Sequence, residues 1–488
     1  MSEVTVSKQT DVDGFTRLAQ AIRPLVSGHP QNSGVYPLAE GLDAFAARYL
    51  LIAMAEKTLD IQYYIWENDM SGQLLFSAVL DAARRGVCVR LLLDDNNTLG
   101  LDKTLSALNS HPNIDVRLFN PFSFRTLRLL GYLTDFARLN RRMHNKSLTV
   151  DGEATIVGGR NVGDKYFGAG DEPLFSDLDV LAVGPVVREV ELDFDRYWQC
   201  RSVAPFSTVV DTDPGSEADI GLPEAWRENE QVKHYFTRLQ ESTFITRLES
   251  RTLPFIWAST RLLSDDPRKG LGRARTKNLL PQRLLSIIGR PQQRLDIISA
   301  YFVPTRAGVA QLLALVRKGV KIAILTNSLA ANDVSVVHAG YAKWRKKLLR
   351  HGIALYELKP TSTRPGGVLH DRGLTGNSGS SLHAKTFSVD QETVFIGSFN
   401  FDPRSAVLNT EMGLVIESGE LANRIHENLL INLREHAWTL RLDDWGKVNW
   451  VEYPGQAEEI VHKHEPRTRF MQRLLVRLVW RLPIEWLL

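Results

Sequence analysis

The chain has 488 residues, of which 43% are hydrophobic, 24% charged and 9% aromatic, with a net charge of +3. These are the proportions of a folded protein with ample apolar material for a core, so wholesale disorder and collagen-like repeats are excluded; the length allows two to four domains or one large pseudo-symmetric unit. A charge of +3 is too small to argue for nucleic acid, and two cysteines, Cys88 and Cys200, exclude a disulfide-stapled scaffold and fit a reducing compartment.

Residues 1–33 read as an N-terminal extension. The opening MSEVTVSKQTDVDG has no basic stretch followed by an apolar one, so no secretory signal is expected. No uncharged apolar run approaches the ~18 residues that span a bilayer. An integral membrane protein is therefore not expected, while one lying on a membrane surface stays open.

Residues 34–204 read as one α/β unit. LDIQYYIW (59–66) is a buried strand, followed by an apolar-periodic helix. RRGVCVRLLLDD (84–95) is a basic helix end, a terminating glycine and a second buried strand, which places Cys88 in the core. IDVRLFNP (114–121) is a third strand and KSLTVDGEATIVGG (146–159) a fourth element; Cys200, after Tyr197 and Trp198, reads as structural. Residues 205–250, with Pro205, Pro214, Pro223 and many charges, form a linker with a helix over Glu228–Glu249.

Residues 251–440 repeat the first unit. LDIISAYFV, RKGVKIAILTN, IALYELKP and KTFSVDQETVFIGS follow in the same order. Asp60 and Asp296 are 236 apart, Gly86 and Gly319 233, and both Pro121/Pro360 and His144/His383 239. Such agreement indicates a duplication. The expected fold is α/β: two duplicated α/β/α units, each with a mixed, largely buried sheet, packed about a pseudo-twofold axis with the active site between them. Within the second unit, RKGLGRARTK (268–277) is either a phosphate- or headgroup-facing loop or a solvated one. Residues 441–488 form a C-terminal segment.

The fourth repeated element carries the chemistry. His144–Asp151 reads HNKSLTVD and His383–Asp390 reads HAKTFSVD, both H-x-K-x4-D. Each is followed by a small pair, Gly158-Gly159 or Gly397-Ser398, and an asparagine, Asn161 or Asn400. On a strand, residues two apart face the same side. His144 with Lys146 and His383 with Lys385 therefore share a face, and the twofold brings both pairs to one cleft. Two imidazoles and two ammonium groups suit metal-free phosphoryl transfer: one imidazole as nucleophile, the other as general acid. The lysines and asparagines would hold the phosphoryl oxygens. Asp151 and Asp390, at odd offsets, should anchor structure. Each imidazole needs an orienting carboxylate; Glu411 and its counterpart Asp177 are the candidates, with Asp179 next.

A lysine two residues after each histidine disfavours a metal ion, and no C-x2-C, H-E-x-x-H or EF-hand spacing occurs. The glycines at 373, 376 and 379 form no G-x4-G-K-[ST], so neither metal nor nucleotide cofactor is expected.

The paired motifs with downstream Gly-Gly/Gly-Ser and Asn resemble the phospholipase D superfamily over about residues 34–488. LDAFAARYLLIAMAEKTLDIQYYIWENDMSG, NRRMHNKSLTVDG, EPLFSDLDV, SLAANDVSVVHAGYAKWRKKLLR, LHAKTFSVD, IGSFNFDPRS and the terminal LPIEWLL are most similar to the C-type bacterial cardiolipin synthases. The resemblance implies transfer of a phosphatidyl group from phosphatidylethanolamine to phosphatidylglycerol through a phosphohistidine, giving cardiolipin. It implies His144, Lys146, Asn161, His383, Lys385 and Asn400 as catalytic residues, with His144 as nucleophile. It also implies a peripheral position on the cytoplasmic face of the bacterial inner membrane and a small macrodomain-type accessory protein. The alternatives are a phosphodiesterase of the same superfamily using water, either a lipid hydrolase or a nuclease, and a scaffold without turnover. Intact His-Lys pairs speak against the last, and weak basicity against a nuclease.

Such an enzyme needs a way onto the bilayer. In RTRFMQRLLVRLVWRLPIEWLL (467–488), Arg469, Arg473, Arg477 and Arg481 recur every four residues beside an apolar face, with Trp480 and Trp486 adding amphipathic rings and Pro483 ending the run. This is the pattern of a basic interfacial helix; packing on the core is the competing reading. Pro121–Arg142, rich in aromatics, leucines and arginines, either lines a lipid entry or forms a helical hairpin.

Overall fold

The computed structural model describes residues 16–480 except 124, 126, 170–174, 212–214, 217–218, 222–229, 251, 333–334, 361–380 and 454–458. Residues 1–15 of the N-terminal extension, Pro214, Pro223 and Glu228 of the linker, the glycines at 373, 376 and 379, Arg481, Pro483, Trp486 and LPIEWLL therefore lie outside the described residues.

Each half builds the same eight-stranded mixed core sheet, which the second half extends by Val448–Glu452 and Ile460–His462 beyond Ala437–Leu442. In the first, Thr58–Tyr63, Cys88–Asp94 and Ile114–Phe119 run parallel, as short β-α-β connections require. Val203–Pro205 closes one edge, antiparallel to Ile114–Phe119. On the other side Ser147–Val150, Ala154–Gly158, Asp179–Val183 and Ser33–Leu38 add as antiparallel neighbours. The second half repeats this order with Ala437–Leu442, Ala354–Leu358, Lys321–Asn327, Arg294–Ser299, Lys385–Val389, Thr393–Gly397, Met412–Glu417 and Ile256–Ser264. The two sheets are continuous: Ser33, Gly34 and Val35 pair antiparallel with Ala258, Trp257 and Ile256.

Local sequence explains the shared turns. Gly86 and Gly319 both take a left-handed φ, 97° and 91°, where a Cβ would be strained, and each ends a helix before the second strand. Asp151 and Asp390 both sit at φ 53° in the tight turn closing the motif strand, a conformation that aspartate tolerates better than most residues.

Three apolar clusters organise the core. One fills the first half, one the second, and the third lies between them, joining Val157 and Val180 to Val394, Ile396 and Leu414. These face residues from the two halves pack sheet against sheet and bring the motif strands to the middle of the molecule.

Several expectations change. Cys88 is exposed, because it opens its strand at the rim of the sheet before the flanking helices cover it; Cys200 is partly buried. The helix expected over Glu228–Glu249 is two helices, Glu230–Gln240 and Thr243–Glu249. Ser242 divides them by turning extended and capping Phe244 N–H with its hydroxyl. The basic loop also splits: Lys269 is buried, pairing with Asp265 at 2.7 Å and donating to the Ser405 carbonyl, whereas Arg268, Arg273, Arg275 and Lys277 are exposed.

Arg128–Leu139 is helical, kinked at Asp135, and leaves Leu129 and Leu133 each 76% exposed. The C-terminal helix, Phe470–Val479, packs on the body of the protein along one edge and leaves an apolar face uncovered. Val476 and Val479 seat it on helix Ser335–Ala342, while Phe470, Met471, Leu475 and Leu478 remain exposed. Arg469 is its N-cap rather than a helical residue; Arg473 bends back to the Thr468 carbonyl, and Arg477 is exposed, as is Trp480 at the C-cap. Among the described residues no helix is long and apolar enough to cross a membrane.

Candidate active site

The two motif segments meet because each is hydrogen-bonded to the other half. His144 N–H donates to the Thr410 carbonyl and Thr410 N–H to the Arg142 carbonyl, both at 2.9 Å. Symmetrically, Ser381–Leu382 pairs in parallel with Phe175–Ser176, and His383 and Ala384 both donate to the Ser176 carbonyl. The residue after each partner is a carboxylate, Glu411 or Asp177. Each is delivered to the histidine of the opposite half.

His144 Nδ1 lies 2.8 Å from Glu411 Oε2 and 3.2 Å from the Ser398 carbonyl. A carbonyl only accepts, so Nδ1 carries the hydrogen and Nε2 has the lone pair. His383 Nδ1 lies 2.5 Å from Asp177 Oδ2. Asp179 orients neither ring: it is buried between Arg48 and Arg160 at 2.8 and 3.3 Å.

Ser398 Oγ donates to Glu411 Oε2 at 2.5 Å and accepts from Met412 N–H. Its counterpart is Gly159, where a Cβ would collide with the Asp177 carboxylate. The difference between Gly-Gly and Gly-Ser thus follows from where each carboxylate sits.

Lys146 and Lys385 are each 1% exposed. Lys146 Nζ donates to the His144 carbonyl at 2.6 Å, and Lys385 Nζ to the His383 carbonyl while standing 3.0 Å from His383 Nδ1. Asn161 accepts from Ile65 N–H and donates to the Tyr166 hydroxyl. Asn400 is buried with no protein partner for Oδ1 among the described residues. Asp151 accepts from the amides of Glu56, Lys57 and Thr58, and Asp390 from those of Gln292, Gln293 and Arg294. Both lie at the far end of their strands.

Electrostatics differ between the two sides. Burial, reinforced by the lysine charges, holds His144 well below its ordinary value and His383 down to about 4. Burial lowers Lys146 to about 7 and raises Glu411 to about 7. Burial would raise Asp177 too, but the charges of His383 and Lys385 outweigh it and keep that carboxylate well below the usual range. One ring therefore faces a firmly ionised carboxylate; the other faces one poised near neutrality. Among the described residues no group of three or more His, Cys, Asp or Glu is placed to hold a metal ion.

Two tyrosines at the site were not anticipated from the sequence. Tyr64 packs edge-on against His144, with ring centroids 5.0 Å apart, and Tyr166 against His383 at 5.2 Å. Both come from the first half. The repeat offsets align them with Ala300 and Ser405, and this divergence beside otherwise matching motifs was the available signal.

Comparison with known proteins shows the family. The family described as cardiolipin synthase, PLD-like domain matches residues 50–198 and 284–430. The chain is 65% identical over 473 residues to cardiolipin synthase C of Escherichia coli, spanning 97% of this chain and 100% of that protein. It is 34% identical over 462 residues to an uncharacterized protein of Helicobacter pylori, spanning 92% of this chain and 88% of that one. Among solved structures, phosphatidylserine synthase of Haemophilus influenzae superposes with a TM-score of 0.60 at 15% identity, covering 96% of this chain and 100% of that one, a likeness of fold. Two matched family segments, one in each half and each carrying its own H-x-K-x4-D, place the chain in the phospholipase D superfamily, among the cardiolipin synthases of the C type.

Proposed function

We propose that the protein makes cardiolipin by moving a phosphatidyl group from phosphatidylethanolamine to phosphatidylglycerol through a phosphohistidine. The observation that carries the reading is the crossed pairing: two histidines at one buried centre, each with Nδ1 held by a carboxylate of the opposite half.

His144 Nε2, with its lone pair exposed by the hydrogen bond at Nδ1, attacks phosphorus. The P–O bond to ethanolamine breaks, and protonated His383 delivers its proton to the leaving alkoxide. Asp177, ionised beside the ring, stabilises that imidazolium. The anionic phosphodiester offsets the burial and the lysine charges that hold the rings neutral, so protonation of His383 accompanies lipid binding. In the second step His383 takes the proton from a phosphatidylglycerol hydroxyl, whose oxygen attacks phosphorus as the N–P bond breaks. Lys146, Lys385 and Asn400 hold the phosphoryl oxygens. Asn161 acts alongside them through the amide hydrogen that Tyr166 leaves unused. The burial of both lysines supports keeping water from the intermediate.

The exposed apolar face of helix Phe470–Val479 and the leucines of Arg128–Leu139 support a peripheral position on a membrane surface, which in this reading is the cytoplasmic face of the inner membrane.

The test is lipid mass spectrometry of the purified chain with phosphatidylglycerol vesicles, with and without isotope-labelled phosphatidylethanolamine. Labelled acyl chains in cardiolipin are expected. Cardiolipin from phosphatidylglycerol alone would change the donor, and phosphatidic acid without cardiolipin would make water the acceptor. Product from the chain alone would show a macrodomain-type partner to be dispensable. His144→Ala and His383→Ala should each abolish turnover while leaving the thermal unfolding profile in place; near-normal activity in either would remove the assignment.

A further inference from the structure

The two halves differ in what covers the motif strand. In the first half Leu148 and Val150, on the same strand face as His144 and Lys146, are sealed into the core with Phe45, Leu51 and Phe76. Helix Gly41–Met54 lies over them with eight buried residues. Their counterparts Phe387 and Val389 instead line a groove of about 270 Å3. The covering helix, Leu280–Ile288, buries only Leu280 and leaves Leu284, Leu285 and Ile288 half-buried or exposed along the groove. The opposite wall is helix Thr305–Val316 with Gly308 and Leu312, and Phe401 and Asp402 line the end next to Asn400.

This groove starts beside the chemistry. Phe387 is one strand repeat from Lys385, about 7 Å along the same face, and Phe401 follows Asn400 directly. Among its lining residues Asp402 alone is ionisable. A well-packed interior does not leave such space unfilled without cost, and the duplicated half shows that the same architecture can close it.

We propose that the groove holds an acyl chain of the phospholipid whose phosphate is bound between Lys385 and His383. This rests on the phospholipid reading of the site. The apolar wall, with one ionisable group among its lining residues, and its start one residue pair from the phosphate-binding lysine fit a hydrocarbon tail attached to that phosphate. The second half would then select by tail, and the filled first half would not.

Gly308 allows a direct test. A Cβ there would stand 3.5 Å from Phe401 Cε1 and 3.7 Å from Pro304 Cβ, ordinary contact distances. Gly308→Ala should therefore be tolerated, whereas Gly308→Phe should fill the groove. Wild type and both variants are assayed on dioleoyl and on dihexanoyl lipids. Gly308→Phe should raise KM for the dioleoyl lipid by about tenfold, the loss of roughly two buried methylenes, with dihexanoyl turnover unchanged. Equal effects on both lipids, or none, would overturn the proposal. Because Gly308→Phe could misfold, wild type is also irradiated with phosphatidylethanolamine bearing a diazirine at the tail end. Labelling of Pro281–Ile288 or Thr305–Leu315 is expected, and labelling confined elsewhere would overturn the proposal. A wild type that makes no cardiolipin yet labels in the groove would sink the reaction and leave the tail site standing.

Discussion

Lys146 shows how burial sets the working range of a single side chain. Its ammonium is lost above about pH 7, so the phosphate loses a binding charge as pH rises through that value. kcat/KM should fall above about pH 7, and Lys146→Arg, which stays cationic, should flatten that fall at a lower maximum because a planar guanidinium does not reproduce the lysine's geometry. A matching decline in the arginine variant would exclude Lys146 as the source. Glu411 gives the stability counterpart. Its folded-state value, about 7, is above the ordinary 4.5, so its contribution is fully present below about pH 4.5 and is lost as pH rises through about 7. Glu411→Gln removes that loss, and wild type should weaken relative to the variant across this window by on the order of 3 kcal/mol, measured by urea unfolding at a series of pH values. At position 159 the constraint is steric. Gly159→Ser should push Asp177 away from His383 and lower kcat by at least tenfold, on the order of 1.4 kcal/mol, whereas Ser398→Gly, which removes the hydroxymethyl group and its hydrogen bonds to Glu411 and Met412 but displaces nothing, should cost less. The H-x-K-x4-D spacing made the histidines, lysines, and anchoring aspartates legible at this scale. The crossing of Glu411 to His144 and Asp177 to His383 was not, because it depends on how two sheets rotate against each other and leaves no mark on either motif alone.

At the scale of elements, period and punctuation carried the prediction. Strand pairs such as 88–94 and 321–327 were readable from β-branched runs after a glycine that takes positive φ. The boundary of burial was less readable: Cys88 shares its run with buried neighbours and still lies outside, because a strand's first residue can precede its cover. The Ser242 cap likewise outweighed an otherwise continuous helical pattern. Helix Phe470–Val479 is the element whose behaviour is easiest to test. Its seat is Val476 and Val479, and its exposed leucines touch little else. Leu475→Glu with Leu478→Glu should reduce sedimentation with anionic vesicles severalfold while leaving Tm nearly unchanged, because surface substitutions away from packed features usually cost within ±0.5 kcal/mol. Binding equal to wild type would assign membrane contact to other surfaces.

For the molecule as a whole, the decisive feature is the shared core. Val157 and Val180 pack with Val394, Ile396 and Leu414 across the halves, so neither half presents a finished surface without the other. Ile396→Ala should cost about 2–5 kcal/mol, and unfolding should remain one transition followed identically by fluorescence and circular dichroism. Two separate transitions would mean that the halves are independently stable. The duplication itself was legible from four landmarks with near-constant offsets; the continuous sheet through Ser33–Leu38 and Ile256–Ser264 was not, since the pairing of one repeat's outer strand with the other's is recorded in neither repeat alone.

The crossed carboxylates also bear on synthesis. His144 and Glu411 are 267 residues apart, so at roughly 5–20 residues per second the ribosome needs about 13 to 50 s to supply the partner after the histidine has been made. During that interval the first half lacks both its share of the joint core and the group that fixes the tautomer of its imidazole. A nascent or truncated chain should therefore be chemically silent, and lipid transfer begins only when nearly the whole polypeptide exists.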